Sequence, residues 1–308
     1  MGPRQRRHRL RLVGGVVGLT VAVLVAVPQV RSYVTHIGGS PVRTWALEPY
    51  TPGDEPLLRL AAAGDVGHPG AREQATARAM ERAGSLRPFD ALVLLGDNVY
   101  REGDPAGLDR TVFGPFAPVL DAGARLLPIL GNHDVMDGHA EANVERLGMP
   151  GRWYAERLGD LLFVGLDSND LSADQLAWLE ATLTDNTAAW TIVALHHPPY
   201  SAGYQGSSLE ARRLVSPIAE RHGVQLVLSG HEHDFERSQP IHGVTYVVSG
   251  AGSETRRTGH AAFTAAAWSW HHFLDISIYR DRIVVRAVNQ DVRVFDEVVI
   301  HRTAGSGA

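Results

Sequence analysis

Six side chains able to hold a cation, Asp65, Asp97, Asn132, His196, His231 and His233, each stand just after a short apolar run, and Tyr100 and His133 follow close behind two of them. Gathering this many Asp, Asn and His groups in one place is costly unless a cation offsets their desolvation. Hard oxygen donors mixed with imidazoles suit Fe, Mn or Zn better than Mg or Ca alone. The donors also outnumber what one tetrahedral ion takes, so two metals are implied. Composition narrows the chemistry further. The 308-residue chain has no Cys, which excludes disulfides and thiolate metal sites. All 29 of its basic residues are Arg, which removes lysine Schiff bases and the lysine-dependent phosphate loop.

These donors can meet only if the segments carrying them lie side by side. Residues 57–63, 90–95, 125–130, 190–195 and 224–228 are short apolar runs, stopped respectively by Gly64-Asp65-Val66-Gly67, Gly96-Asp97-Asn98, Gly131-Asn132-His133-Asp134, His196-His197 and Ser229-Gly230-His231-Glu232-His233. They read as buried strands, with a further one at 161–166. Helices are expected at 71–83, 173–183 and 209–221; the second is signalled by Ser172 with Gln175 and by the apolar face of Leu176, Leu179 and Leu183. Strands alternating with helices indicate parallel βαβ units, whose carboxyl ends are where open α/β sheets bind ligands. Residues 244–249, 273–279, 282–288 and 294–301 alternate more strictly and are expected as antiparallel strands at the sheet edge. One catalytic domain is expected over residues 57–302, after a Pro/Gly/Ser/Thr-rich lead-in at 31–56 and before a loose tail at 303–308.

The amino terminus has a different character. Arg4, Arg6, Arg7, Arg9 and Arg11 occur without an acid, and an uncharged apolar run, Leu12 to Val27, then stops at Pro28. This matches a secretory signal or an uncleaved signal anchor within residues 1–30, and either places the remainder outside the cytoplasmic membrane, secreted or anchored through residues 12–27. Arg6-Arg7 is a twin-Arg pair, but Arg9 stands where such signals carry an apolar residue, so ordinary export is the simpler reading. Beyond the basic cluster, acids outnumber Arg by ten, which argues against a nucleic-acid partner.

Taken in order, Asp65-Val66-Gly67, Gly96-Asp97-Asn98-Val99-Tyr100, Gly131-Asn132-His133-Asp134, Val193-Ala194-Leu195-His196 and Gly230-His231-Glu232-His233 resemble the five-block signature of calcineurin-like metallophosphoesterases. They resemble more narrowly the purple acid phosphatases, including the tartrate-resistant type, because Gly67 replaces the first-block His of many relatives and Tyr100 supplies a phenol instead. The run Gly230 to Arg237 is similar to the same family's block, with Phe235 in place of Tyr. The resemblance implies an α/β fold, a four-layer αββα sandwich of two mixed sheets. It implies one metal on Asp65, Asp97, Tyr100 and His233, a second on Asp97, Asn132, His196 and His231, and Asp97 bridging. A phenolate ligand calls for Fe(III) at the first site; the second would take Fe(II), Zn or Mn. The implied reaction is hydrolysis of a small phosphate monoester by a metal-activated hydroxide, with His133 near the phosphate or leaving group and Asp134 orienting it. His197 is a further catalytic candidate. Where many bacterial relatives have a loop His, this chain has Gln205, which cannot act as an acid; leaving-group protonation then falls to His133, His197 or water. The alternatives are a phosphodiesterase of the same fold acting on cyclic nucleotides or lipid head groups, and a surface binding module without activity.

The remaining conspicuous residues have plainer explanations. His68, His139, His222, His242, His260, His271 and His272 lack ligand spacing and read as ordinary surface or core histidines. Trp268, Trp270 and Phe273 are expected to pack a strand, and Arg256 and Arg257 to be solvated.

Overall fold

The computed structural model describes residues 43–302. The expected export segment at 1–30, the first part of the lead-in and the tail at 303–308 lie outside the described residues. In chain order the strands are β1 (Trp45–Ala46), β2 (Leu58–Ala63), β3 (Ala91–Leu94), β4 (Arg125–Pro128), β5 (Tyr154–Leu158), β6 (Leu161–Gly165), β7 (Trp190–Ala194), β8 (Leu226–Ser229), β9 (Phe235–Ser238), β10 (Thr245–Ser249), β11 (Thr264–Trp268), β12 (His272–Ile278), β13 (Arg282–Asn289) and β14 (Arg293–His301). They form two seven-stranded mixed sheets, ordered β1-β14-β13-β12-β2-β3-β4 and β11-β9-β10-β8-β7-β6-β5. The strands β2, β3 and β4 run parallel in the first sheet, as do β6, β7, β8 and β10 in the second.

The two sheets face one another. The Trp190 indole donates to the Tyr279 carbonyl at 2.8 Å and the Tyr154 hydroxyl to the Pro128 carbonyl at 2.9 Å, each crossing from one sheet to the other. On the outer face of the second sheet, the helices Ala173–Thr184, Leu209–Leu214 and Ser216–Arg221 bury Leu179, Leu183, Ala211, Val215 and Ile218 against Leu162, Val164, Val193 and Val227. With the helix Ala71–Gly84 covering the first sheet, the result is the four-layer αββα sandwich. Strands covered on both faces have no solvent side, which is why β2, β3, β7 and β8 read as continuous apolar runs.

Four expectations are corrected. Residues 244–249 do not form an antiparallel edge: β10 lies between β8 and β9, parallel to β8. Its alternation misled because Thr245 and Ser249 are buried, and the Ser249 hydroxyl lies 2.9 Å from His272 Nε2, so its polarity is satisfied inside the protein. The helix expected over 209–221 breaks at Val215, since Pro217 has no N–H to continue the ladder and sits instead in the first turn of the next helix. The strands β1, β5, β9 and β11 were not anticipated, β1 lying in the expected lead-in, and the antiparallel strands β12 and β13 are interior to their sheet, not at its edge.

Helix Ala71–Gly84 carries a buried acid, Glu73, which accepts only the Gly70 N–H at 3.3 Å and leaves its other oxygen without a hydrogen-bond partner. Burial pushes its carboxyl up to about 7. A folded-state value above the unfolded one means that Glu73 favours folding below its unfolded pKa and that this contribution is lost as pH rises through about 7. Glu73→Gln is therefore expected to be roughly 1–2 kcal/mol more stable than the parent at pH 8, after discounting for screening, and about equal at pH 4. Urea unfolding at the two pH values measures this; equal effects at both would contradict it.

Candidate metal centre

The carboxyl ends of the parallel strands converge because the sheets touch there: the Gly64 N–H donates to the Ser249 carbonyl at 2.7 Å, joining the end of β2 to the end of β10. Asp65 follows β2, Asp97 follows β3, Asn132 follows β4, His196 follows β7, and His231 and His233 follow β8. Asp65, Asp97 and His231 have φ of 58°, 52° and 70°, left-handed values that L side chains avoid unless the surroundings hold them there. The strand-end loops thus turn sharply to bring these side chains inward.

The cluster has two halves. In one, the Tyr100 hydroxyl lies 3.0 Å from Asp65 Oδ1, 3.0 Å from Asp97 Oδ2 and 3.2 Å from His233 Nε2. In the other, Asn132 Oδ1 lies 3.1 Å from His196 Nε2 and 3.0 Å from His231 Nδ1. Asp97 reaches both, its Oδ1 standing 3.5 Å from His196 Nε2. Donor atoms of Asp65, Asp97 and His196, all buried, fall within 4.8 Å of one another, a group able to hold a metal ion.

Electrostatics agree with the donor chemistry. Burial and the carboxylates of Asp65 and Asp97 push the Tyr100 phenol far up, so only a strong positive charge there would ionise it. Burial opposes protonation of His196, yet the adjacent Asp97 carboxylate outweighs it and lifts the imidazole to about 10. Burial and the charge on His196 drive His231 down to about 2 and His197 to about 4. A cluster that keeps the His231 imidazole neutral beside two carboxylates and a phenol fits polyvalent cations. His196 Nδ1 meets the Leu95 carbonyl at 2.8 Å, which makes that nitrogen a donor and leaves Nε2 facing Asn132 and Asp97.

Gly67 has a steric reason. A Cβ there would come within 2.7 Å of the Asp97 carbonyl oxygen and the Val99 nitrogen, so no side chain fits, and the Gly67 carbonyl instead accepts the Tyr100 N–H at 3.1 Å. The position that lacks a side chain therefore helps to place the one that carries the phenol.

The structure differs from expectation at Asp134. Its buried carboxylate does not orient the His133 ring. It accepts from the N–H groups of Asn98 (2.9 Å), Val99 (3.2 Å) and Gly131 (2.8 Å) and from the Asn98 side-chain amide (2.9 Å). The His133 ring instead lies edge-on to Tyr100, centroids 4.6 Å apart, with Nδ1 2.5 Å from the Arg101 carbonyl. His197 stands over His231 at 4.5 Å between centroids, with Nδ1 2.8 Å from the Ser168 hydroxyl. The Gln205 amide lies 3.4 Å from the His231 carbonyl. Ser168 was missed in the sequence, although Asp167-Ser168-Asn169 ends β6 much as the other polar blocks end their strands.

Two facing mixed sheets whose strand ends gather buried acids, an amide, a phenol and imidazoles define a metal-dependent α/β hydrolase. The chain belongs to the calcineurin-like phosphoesterase family, whose sequence profile matches residues 58–235, a span holding every side chain of the cluster. As such it is a metallophosphoesterase, a phosphoric ester hydrolase. It is 28% identical over 255 residues to tartrate-resistant acid phosphatase type 5 of Oryctolagus cuniculus, covering 69% of this chain and 78% of the relative. It is 27% identical over 244 residues to purple acid phosphatase 4 of Arabidopsis thaliana, covering 68% and 72%. Among solved structures, a purple acid phosphatase from yellow lupin (Lupinus luteus) seeds superposes with a TM-score of 0.72 at 16% identity, covering 85% of this chain and 56% of that one. GAP50, described as the anchor in the inner membrane complex of Plasmodium, superposes at 0.69 with 19% identity, covering 81% and 90%. Both show the fold.

Proposed function

We propose that the chain hydrolyses small phosphate monoesters at a two-cation centre outside the cytoplasmic membrane. The observation that carries this reading is Asp97, whose two carboxylate oxygens face different donor sets, Tyr100 on one side and His196 on the other. Asp65, Asp97, Tyr100 and His233 would hold the first cation, and Asp97, Asn132, His196 and His231 the second. The phenol favours Fe(III) at the first position; Fe(II), Zn or Mn suits the second. Bound there, the cations supply positive charge to the phosphate oxygens and lower the pKa of water.

The chain's own residues do the rest. His133, anchored through Nδ1 on the Arg101 carbonyl, presents Nε2 to the phosphate or the leaving oxygen. His197, anchored through Nδ1 on Ser168, offers Nε2 beside His231. Gln205 can donate a hydrogen bond but no proton, so esters with good leaving groups are expected to be preferred. Export rests on the amino-terminal sequence; among the described residues no helix is long and apolar enough to cross a membrane.

The test compares p-nitrophenyl phosphate with its bis ester and records the visible spectrum of the iron-loaded protein. Higher kcat/KM on the monoester, with a visible band that Tyr100→Phe abolishes, is the expected outcome. Preference for the diester would replace monoesterase with phosphodiesterase. A colourless, iron-free but active protein would remove iron from the first position. Absence of turnover on both esters would leave a binding module.

A further inference from the structure

His196 has its proton-bearing nitrogen fixed by the Leu95 carbonyl, but His233 has no such partner on the backbone. Its Nδ1 is buried and without a hydrogen bond among the described residues, while Nε2 faces Asp65 and Tyr100. A histidine that gives Nε2 to a cation must keep its proton on Nδ1, and that N–H needs an acceptor which also holds the ring plane. The nearest acid is Glu254, with Oε2 3.6 Å from His233 Nδ1.

The backbone on either side of Glu254 is fixed by hydrogen bonds of its neighbours. On one side of it, the Ser253 hydroxyl donates to the Asp65 carbonyl. On the other, the Arg256 N–H donates to the His233 carbonyl at 2.7 Å. The segment is thus tied to two members of the Tyr100-side cluster, with the Glu254 carboxylate between the ties. Its second oxygen lies 3.4 Å from Nε2 of His68, whose ring is 5.2 Å from that of Tyr100. His68, which read as an ordinary surface histidine, lines the same rim. Glu254 is itself 47% exposed, so its side chain has room to rotate the short remaining way to His233.

We propose that Glu254 is a positioning residue for His233, accepting its Nδ1–H and so aiming Nε2 at the cation beside Tyr100. This rests on the two-cation reading above. It assigns to an otherwise unremarkable surface acid control over one of the two metal positions.

The experiment dialyses the purified full-length holoenzyme against graded EDTA and counts retained metal per chain, alongside the visible band and the Tm. For Glu254→Ala, one of two metal equivalents is expected to leave at roughly 10–100-fold lower chelator concentration than in the parent, with the band fading in step and the other equivalent held as before. Glu254→Gln keeps a carbonyl acceptor and is expected to restore most of the retention. Parent-like retention in Glu254→Ala, or a Gln variant no better than Ala, would overturn the role of Glu254 while leaving the two-cation reading standing. A parent protein retaining fewer than two equivalents would overturn both.

Discussion

Replacing Asp97 by Asn is expected to lower kcat/KM for p-nitrophenyl phosphate by on the order of 10³-fold or more, without unfolding the protein. Asn has nearly the same shape, so the variant isolates charge and donor identity from packing. In the parent, one carboxylate oxygen accepts the His133 N–H at 2.9 Å and the other faces the Tyr100 hydroxyl at 3.0 Å. An amide can satisfy the His133 N–H with its oxygen only by turning its NH₂ toward Tyr100 and Asp65, where a donor opposes any cation. If it flips, the NH₂ meets the His133 N–H, and two donors confront each other in a buried place. Either way one half of the centre loses its ligand and both lose a negative charge. Burial disfavours the ionised Asp97, but the charge of His196 prevails and holds its carboxyl well below the usual range. The group is therefore ionised at any working pH, and the full charge is what Asn removes. Turnover assays, metal content and circular dichroism on the same preparation decide it: parent-like turnover with parent-like metal would mean that Asp97 does not join the two halves.

The centre was legible to the extent that it obeys a rule of sheet geometry. Parallel strands put their carboxyl ends on one edge, so the polar residue after each apolar run points to a common site from the sequence alone. Asp65, Asp97, Tyr100, Asn132, His196, His231 and His233 do meet. What stayed hidden was everything supplied by backbone or by residues with no chemical signature of their own. The Leu95 and Arg101 carbonyls set the His196 and His133 rings, and every residue has a carbonyl. Ser168 and Glu254 are ordinary residues on loops whose fold decides what they face. In the fold itself, β9 was masked because it begins two residues after His233 and read as part of the motif, whereas β10 was legible as a strand and misplaced at an edge because its buried hydroxyls imitate an exposed face.

Asp134 illustrates the difference most sharply, and a stability measurement distinguishes its two roles. As an orienting acid for His133, its loss would spare the fold and alter only turnover and its pH dependence. The structure instead has one carboxylate gathering three backbone N–H groups and the Asn98 amide from two different loops, residues 98–99 after β3 and Gly131 after β4. It is fully buried, so Asp134→Ala leaves those donors without an acceptor where water does not reach them readily. Each buried donor left unpaired costs about 1–3 kcal/mol, and some relaxation is unavoidable, so the expected loss is about 3–5 kcal/mol, a Tm lower by roughly 10 °C or more. Asp97 and Asn132 stand on the loops that this carboxylate joins, so activity and metal retention are expected to fall with stability. His133→Ala provides the contrast: its ring lies at the rim and bonds only the Arg101 carbonyl, so kcat should fall while Tm stays near that of the parent. If Asp134→Ala kept its Tm and shared the kinetic profile of His133→Ala, the carboxylate would be working through the imidazole after all, and the clasp between the two loops would not be what holds Asp97 in its left-handed turn.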